Sequence, residues 1–441
     1  MSFLLDPQPR RNPHWPRPNN QGDGPLKKTS EEGPDKDKLT PYQWRLFVFL
    51  SVATFFEGYD FLALAQILPN LRADMGLSRF DAGLLFAFVN FGTVVAYLLV
   101  RKADKWGRRK VMMTTIIGYT IFTFLSGLAP NVWFFAIFQF VARIFLIGEW
   151  ATSMVYAAEE YPASKRGMVI GVLQAFSTLG ALVCAGVVPL LLETEYGWRS
   201  VYFVGLVPLV ILAFARRNLR ETRRFEEGRA SRKQSSMLDI VRGPHRKRVF
   251  QLALIWFLTY ACTQTAISFW KEFAVTDQGW SDVDVGKALT MAAVLSMPFV
   301  FLAGKLLDVI GRRWGAVIIF LSTSLGIYTA YGLTGFWPLT FALAVALFGV
   351  SAVLPVLNAF TTELFPTHLR SDAFAWTNNL LGRLGYVMSP IFIGWAAQKW
   401  SWGAAIQPTA ILPIIAVILI FWLLPETNQL ELEETAKLGG D

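Results

Sequence analysis

The chain reads as long apolar runs cut by short polar breaks. About twelve runs of roughly 18–27 residues can be placed. They lie at 44–70, 82–100, 111–129, 132–157, 168–192, 200–215, 249–271, 287–307, 315–333, 338–360, 371–396 and 404–424. An α-helix of about 20 residues spans the roughly 30 Å of bilayer hydrocarbon, so each run is of membrane-crossing length. The expected fold class is an all-α membrane protein with twelve transmembrane helices. Composition agrees: 54% of the 441 residues are hydrophobic and 17% charged. A soluble chain of this length carries more charge and divides into about two or three domains. Residues 1–42 are polar and hold seven prolines between Pro7 and Pro34, the pattern of a disordered tail. A polar linker is expected at 216–247 and an acidic tail at 425–441.

Charge sets the orientation. One set of breaks carries Arg101, Lys102, Lys105, Arg108, Arg109 and Lys110, then Arg216, Arg217, Arg220, Arg223 and Arg224, then Lys305, Arg312 and Arg313. The alternate breaks hold little beyond Arg72, Arg79, Arg199, Lys271, Lys287 and Lys399. By the positive-inside rule both termini and the linker face the cytoplasm, as expected for a multi-pass protein of the plasma (inner) membrane. The formal charge of +9 is then topological, and no nucleic-acid partner is expected. The apolar start of the chain is too short for a signal-peptide core, so the first span is expected to act as an uncleaved signal. Cys184 and Cys262 fall inside apolar runs and read as free core thiols. His14, His245 and His368 lie outside the middles of the runs, which leaves carboxylates to carry any proton.

The two halves repeat each other. Asp104-Lys105-Trp106-Gly107-Arg108-Arg109 follows the second run, and Asp308-Val309-Ile310-Gly311-Arg312-Arg313 follows the eighth, 204 positions on. Glu159, Pro162 and Arg166 after the fourth run are matched by Glu363, Pro366 and Arg370 after the tenth, again 204 apart. Glu221-Thr222 is echoed by Glu426-Thr427 at 205. The chain is therefore read as two six-helix bundles, 43–215 and 248–424, in parallel repeat, with a substrate site near the midplane between them.

These motifs resemble the major facilitator superfamily, and within it the sugar-porter and metabolite:proton symporter branch. The family loop begins with a glycine four residues before the Asp; Gly304 matches and Val100 does not. The resemblance implies transport by alternating access. Asp104, Arg108, Arg109, Asp308, Arg312, Arg313, Glu159, Arg166, Glu363 and Arg370 are then gating candidates. Their acid–base pairs would hold one conformation shut and part in the other. The alternative is that the arginines only set topology.

Six polar residues interrupt the apolar runs where charge is costly. Glu57 and Asp60 are three apart, on one face of the first helix. Two close carboxylates in a low dielectric do not both ionise easily, which suits proton binding; a structural pair with an arginine is the alternative. Glu57-Gly58-Tyr59-Asp60 is similar to the acid-Gly-x-Asp motif of aromatic-acid:proton symporters. Arg143, mid-run in the fourth helix, is a partner for Asp60 or for a substrate carboxylate, which its planar fork suits. Glu149 is six residues on, about 600° of helix, and so off Arg143's face. It lies in Gly148-Glu149-Trp150, which resembles a metabolite:proton symporter stretch, and is a further proton candidate. Arg383, flanked by Asn378, Asn379 and Tyr386, suggests an anionic substrate; a structural pair within the second half is the alternative. Gln264 stands 204 after Asp60, a neutral amide where the first half has an acid.

Asn358, Asn379 and Tyr59 are further substrate-site candidates. Trp256, Trp270 and Trp376 are candidates to line a cavity for a ring, and Asn90 and Gln174 are other polar ones. Gly171 and Gly180 are expected at close helix contacts. Three midplane acids against two bases sum to −1, consistent with proton–anion symport. The expected function is proton-coupled symport of a small organic acid, aromatic in one version, with a sugar or polyol porter or proton-driven efflux as alternatives. The expected partners are the substrate, protons and the bilayer, with a monomeric chain. No metal cluster, nucleophile motif or phosphate loop is legible, so neither an enzyme nor a cofactor is expected.

Overall fold

The computed structural model describes residues 39–215, 220–221, 238–366 and 369–427. Most of both tails and of the linker expected from the sequence lies outside the described residues. The described chain is helical at each apolar run. In the first half the helices are α1 (Pro41–Met75), α2 (Arg79–Trp106), α3 (Arg108–Gly127), α4 (Val132–Glu160), α5 (Ala163–Leu192), α6 (Ser200–Phe203) and α7 (Leu206–Ala215). The second half has α8 (Leu238–Arg242), α9 (Arg246–Ser268), α10 (Trp270–Thr276), α11 (Asp282–Ile310), α12 (Arg312–Ala330) and α13 (Phe336–Glu363). It continues with α14 (Arg370–Phe374), a π-helix (Ala375–Gly382), α15 (Leu384–Lys399), α16 (Trp402–Ile406) and α17 (Ile411–Leu423).

Among the described residues ten helical stretches are long and apolar enough to cross a membrane. The helices α3 and α12 complete the twelve spans. Each opens on Arg-Arg and is threaded with Thr, Ser and Gly, so its apolar stretch is short. Most helices outrun their apolar stretches, because backbone pairing continues past the hydrocarbon edge until a cap ends it. At α1 Thr40 and Gln43 form a capping box, Pro41 opens the first turn, and Gly76 in a left-handed conformation closes the far end.

Within the first half, α1 and α5 touch through small residues. A Cβ on Gly58 would lie 1.8 Å from the Ser177 carbonyl oxygen, and one on Gly180 1.8 Å from that of Phe55. Such contact replaces the hydrophobic force that lipid cannot supply. Gly171, expected to do the same, has nothing within 4 Å of its Cβ position. Gly304 is likewise open, with nothing within 4 Å of its Cβ position among the described residues.

Two of the contacts between the halves are matched. Gly83 of α2 faces the Pro390 carbonyl of α15, and Gly286 of α11 faces Pro189 of α5. Each proline deprives the carbonyl four residues back of its helical donor. For Pro390 that carbonyl is Tyr386's, and Asn90 of the opposite half donates to it at 3.2 Å. A polar side chain therefore satisfies a backbone group that neither lipid nor its own helix can.

One buried core is shared by both halves and includes Ala63, Val89 and Val188 with Phe273, Val285 and Ile393. Toward the basic loops the core divides. Val249, Phe320 and Leu357 belong to a cluster of the second half alone. Leu46, Met112 and Leu173, and separately Ala53, Ile116 and Leu209, belong to the first. The halves are joined at the end away from the basic loops and separate toward them.

Candidate functional site

The midplane carboxylates of the first half are held by hydroxyls. Asp60 accepts from the Tyr119 hydroxyl and, at 3.3 Å, from Thr123. Glu57 accepts from Ser177 at 3.1 Å. Glu149 accepts from Thr115 at 2.6 Å and from Ser153 at 3.1 Å. Glu57 is 9% and Glu149 3% exposed, so bulk water does not solvate them. Thr115, Tyr119 and Thr123 form one stripe of α3 at four-residue spacing, which serves both Glu149 and Asp60. That spacing is visible in the sequence and was the missed signal for these residues.

Neither midplane arginine is ion-paired among the described residues. Arg143 is 5% exposed, its guanidinium stands 4.9 Å from the Phe61 ring centre, and its Nη1 has no hydrogen-bond partner. The expected Arg143–Asp60 pair is thus not formed here; Asp60 is taken up by Tyr119 and Thr123 instead. Arg383 is half-buried, with Nε likewise unpartnered. It lies within electrostatic reach of Glu57 in the first half and of Tyr260 and Tyr386 in its own.

Arg383 follows the π-helix. Its backbone N–H donates to Asn378, five residues back, at 3.0 Å. A π turn spreads the backbone and is often met at functional sites. The Asn378 side chain accepts from the Tyr260 hydroxyl at 3.1 Å, and the Tyr260 and Tyr386 rings lie 4.3 Å apart. Asn379 is half-buried on the same turn.

Several expected cavity residues are packed away. Tyr59 is 1% exposed in the shared core and donates to the Val201 carbonyl at 3.2 Å, so it does not line a cavity. Trp256 is fully buried and donates to Thr361 at 3.0 Å. Trp270 is buried at the far end, 5.8 Å from Trp280 between ring centres. Their ring area serves packing, as is usual for large aromatics. Gln264 is buried and reaches Ser268 at 3.3 Å. Asn358 and Gln174 are exposed, on stripes with Thr362 and Thr178 respectively.

At the basic-loop end several bonds of the repeat are matched in both halves. Arg108 pairs with Glu159 at 3.2 Å, and Arg312 with Glu363 at 3.2 Å. Arg312 also pairs with Asp308 at 2.7 Å. The Arg166 guanidinium donates to the Tyr161 carbonyl at 3.4 Å, and that of Arg370 to Phe365 at 3.1 Å. The Glu221 carboxylate accepts the backbone N–H groups of Arg108 and Arg109, and Glu426 those of Arg312 and Arg313. An anion at each helix N-terminus meets its unpaired donors and its dipole. Gly107 (φ 99°) and Gly311 (φ 97°) make the turn that presents those donors. These described pairs lie within one half each. Asp104 lies outside the residues whose side chains the structure describes.

The sequence profile of the Major Facilitator Superfamily matches residues 50–293 and 252–438. The chain is 26% identical over 363 residues to a sialic acid transporter of Escherichia coli, covering 80% of this chain and 86% of that one. It is 24% identical over 382 residues to a cis,cis-muconate transport protein of Acinetobacter baylyi, covering 83% and 91%. It also superposes on the E. coli xylose transporter in an inward-open conformation, with a TM-score of 0.73 at 17% identity, over 90% of this chain and 99% of the other. With its paired six-helix bundles and midplane polar site, this chain belongs to the Major Facilitator Superfamily and is a membrane transporter, not an enzyme.

Proposed function

We propose that the chain takes up a small organic acid together with protons, by alternating access, across a plasma (inner) membrane with its basic loops cytoplasmic. The carrying observation is that Arg143 and Arg383, one from each half, have no carboxylate partner among the described residues, while the nearby acids are held by hydroxyls. A cation left unpaired at bilayer depth is costly. A substrate carboxylate offsets that cost, and a guanidinium binds it bidentately. Asp60 and Glu57 are the proton carriers and Glu149 a further one. Hydroxyl partners suit this role, because a hydroxyl can donate to the ionised carboxylate or accept from the protonated one.

Arg143 and Arg383 anchor the anion; Gln264, Asn358 and Asn379 contact the remainder. Three relatives are named for sialic acid, cis,cis-muconate and benzoate, each a carboxylate, which supports this reading. The gating arginines and acids at the basic-loop end brace each bundle in the present conformation and re-pair when that end closes.

Proteoliposomes holding a pH dye, given benzoate, cis,cis-muconate, sialic acid or xylose, test this. Proton entry driven by a carboxylate, and lost in Asp60→Asn, is the expected result. Xylose uptake without a pH change would replace the reading with a sugar porter.

A further inference from the structure

The charged residues at the end away from the basic loops do something no motif assigns to them. Arg72, at the end of α1, pairs with Glu272 of α10. Arg79, at the start of α2, lies 3.5 Å from Asp277. It also donates to the carbonyls of Ala397 (3.0 Å) and Trp400 (3.2 Å), and its backbone N–H donates to Gln398 at 3.0 Å. Asp277 in turn accepts from the Gly403 backbone at 2.9 Å. Asn70 of the first half reaches Asp282 of the second at 3.5 Å, beside the Lys271–Asp282 pair at 2.6 Å. In each of the two arginine pairs the cation comes from the first half and the acid from the second.

We propose that Arg72–Glu272 and Arg79–Asp277 are the outer latch of this transporter, holding the far end shut while the basic-loop end is open. The idea rests on alternating access, and on neither the proton nor the anion. Three observations carry it. The pairs sit at the end where the halves share one core, beyond that core, where outward opening must begin. The Glu272 side chain is 0% exposed while latched, so Arg72 is the cation that stands in for water. Once parted, both charges reach water at the mouth, which offsets the lost pairing and makes the contact reversible. Finally, a neighbouring pair behaves as a control. Asp74 accepts from Arg199 and Trp198, each at 2.9 Å, wholly within the first half, so it moves with that half and latches nothing.

Cys184 is a built-in reporter. It is fully buried in the shared core, next to Ala185, whose carbonyl oxygen faces Gly286 of the other half. In a Cys262→Ser background, the full chain in lipid nanodiscs is treated with a water-soluble fluorescent maleimide. Arg72→Glu and Glu272→Arg should each raise the Cys184 labelling rate by about tenfold or more. The double exchange should bring it back toward the parent, and Arg199→Gln should leave it unchanged. Slow labelling in both single variants overturns the latch, and so does a double exchange that labels as fast as either single. Thermal melting screens for misfolding. Arg79→Gln and Asp277→Asn, read the same way, substitute for any variant that fails to fold. Because the label reports shape, a chain that carries no organic acid still passes or fails this test.

Discussion

The two halves of the molecule agree at their basic-loop ends and disagree at their middles. Arg108–Glu159 and Arg312–Glu363 have the same length, and Glu221 and Glu426 cap equivalent helices. At the midplane the repeat dissolves. Counting 204 positions on, Glu57 meets Ala261, Asp60 meets Gln264, Arg143 meets Leu347 and Glu149 meets Val353. On the proposed function the ends are conformational hardware that both bundles need, and the middles, where the halves differ, carry the chemistry.

The sharpest way to break this contrast is Asp60→Asn, which makes the first half resemble the second. Coupled uptake should be abolished, while exchange of labelled against unlabelled substrate in proteoliposomes survives. Next is Arg383→Gln. Losing a charge-assisted bond should raise KM for a carboxylate substrate about 10- to 100-fold, with a smaller change in kcat. Arg383→Lys should recover only part of this, since an ammonium lacks the planar fork.

Glu149→Gln should cost less, about two- to fivefold in uptake rate, because Thr115 and Ser153 still bond the amide. Last comes the part where the halves agree. Gly107→Ala and Gly311→Ala should each destabilise the detergent-solubilised protein by about 1–2 kcal/mol, read as similar drops in melting temperature. Unequal drops would show that the ends are less alike than their bonds suggest; at Gly311 an added Cβ would stand 3.2 Å from the Glu426 carboxylate.

The repeat also shows how a local irregularity can be half-read. Arg166 and Arg370 are 204 apart, but Glu221 and Glu426 are 205 apart. The structure shows a place for the extra residue. Gly180 and Gly385, also 205 apart, each press on the first spanning helix of their own half, against the carbonyls of Phe55 and Phe257, which are 202 apart. Between Arg370 and Gly385 lies the π-helix, whose wider turn accommodates one more residue. The slip was countable; its position, just before Arg383, was not.

Hydrophobic run length determined the spans, since a helix in hydrocarbon must satisfy its own backbone and is therefore legible locally. The loop motifs and their fixed offset determined the two bundles. The buried acids and arginines were legible too, because charge is rare in such runs. Tertiary structure alone decided the partners. Asp60 takes Tyr119 rather than Arg143, Tyr59 turns into the core rather than the cavity, and Arg72 and Arg79 cross between halves rather than merely marking a loop. A residue's type and its depth along a helix are local properties. Which neighbour fills the space beside it depends on the crossing and rotation of helices hundreds of positions away, and no single run records that.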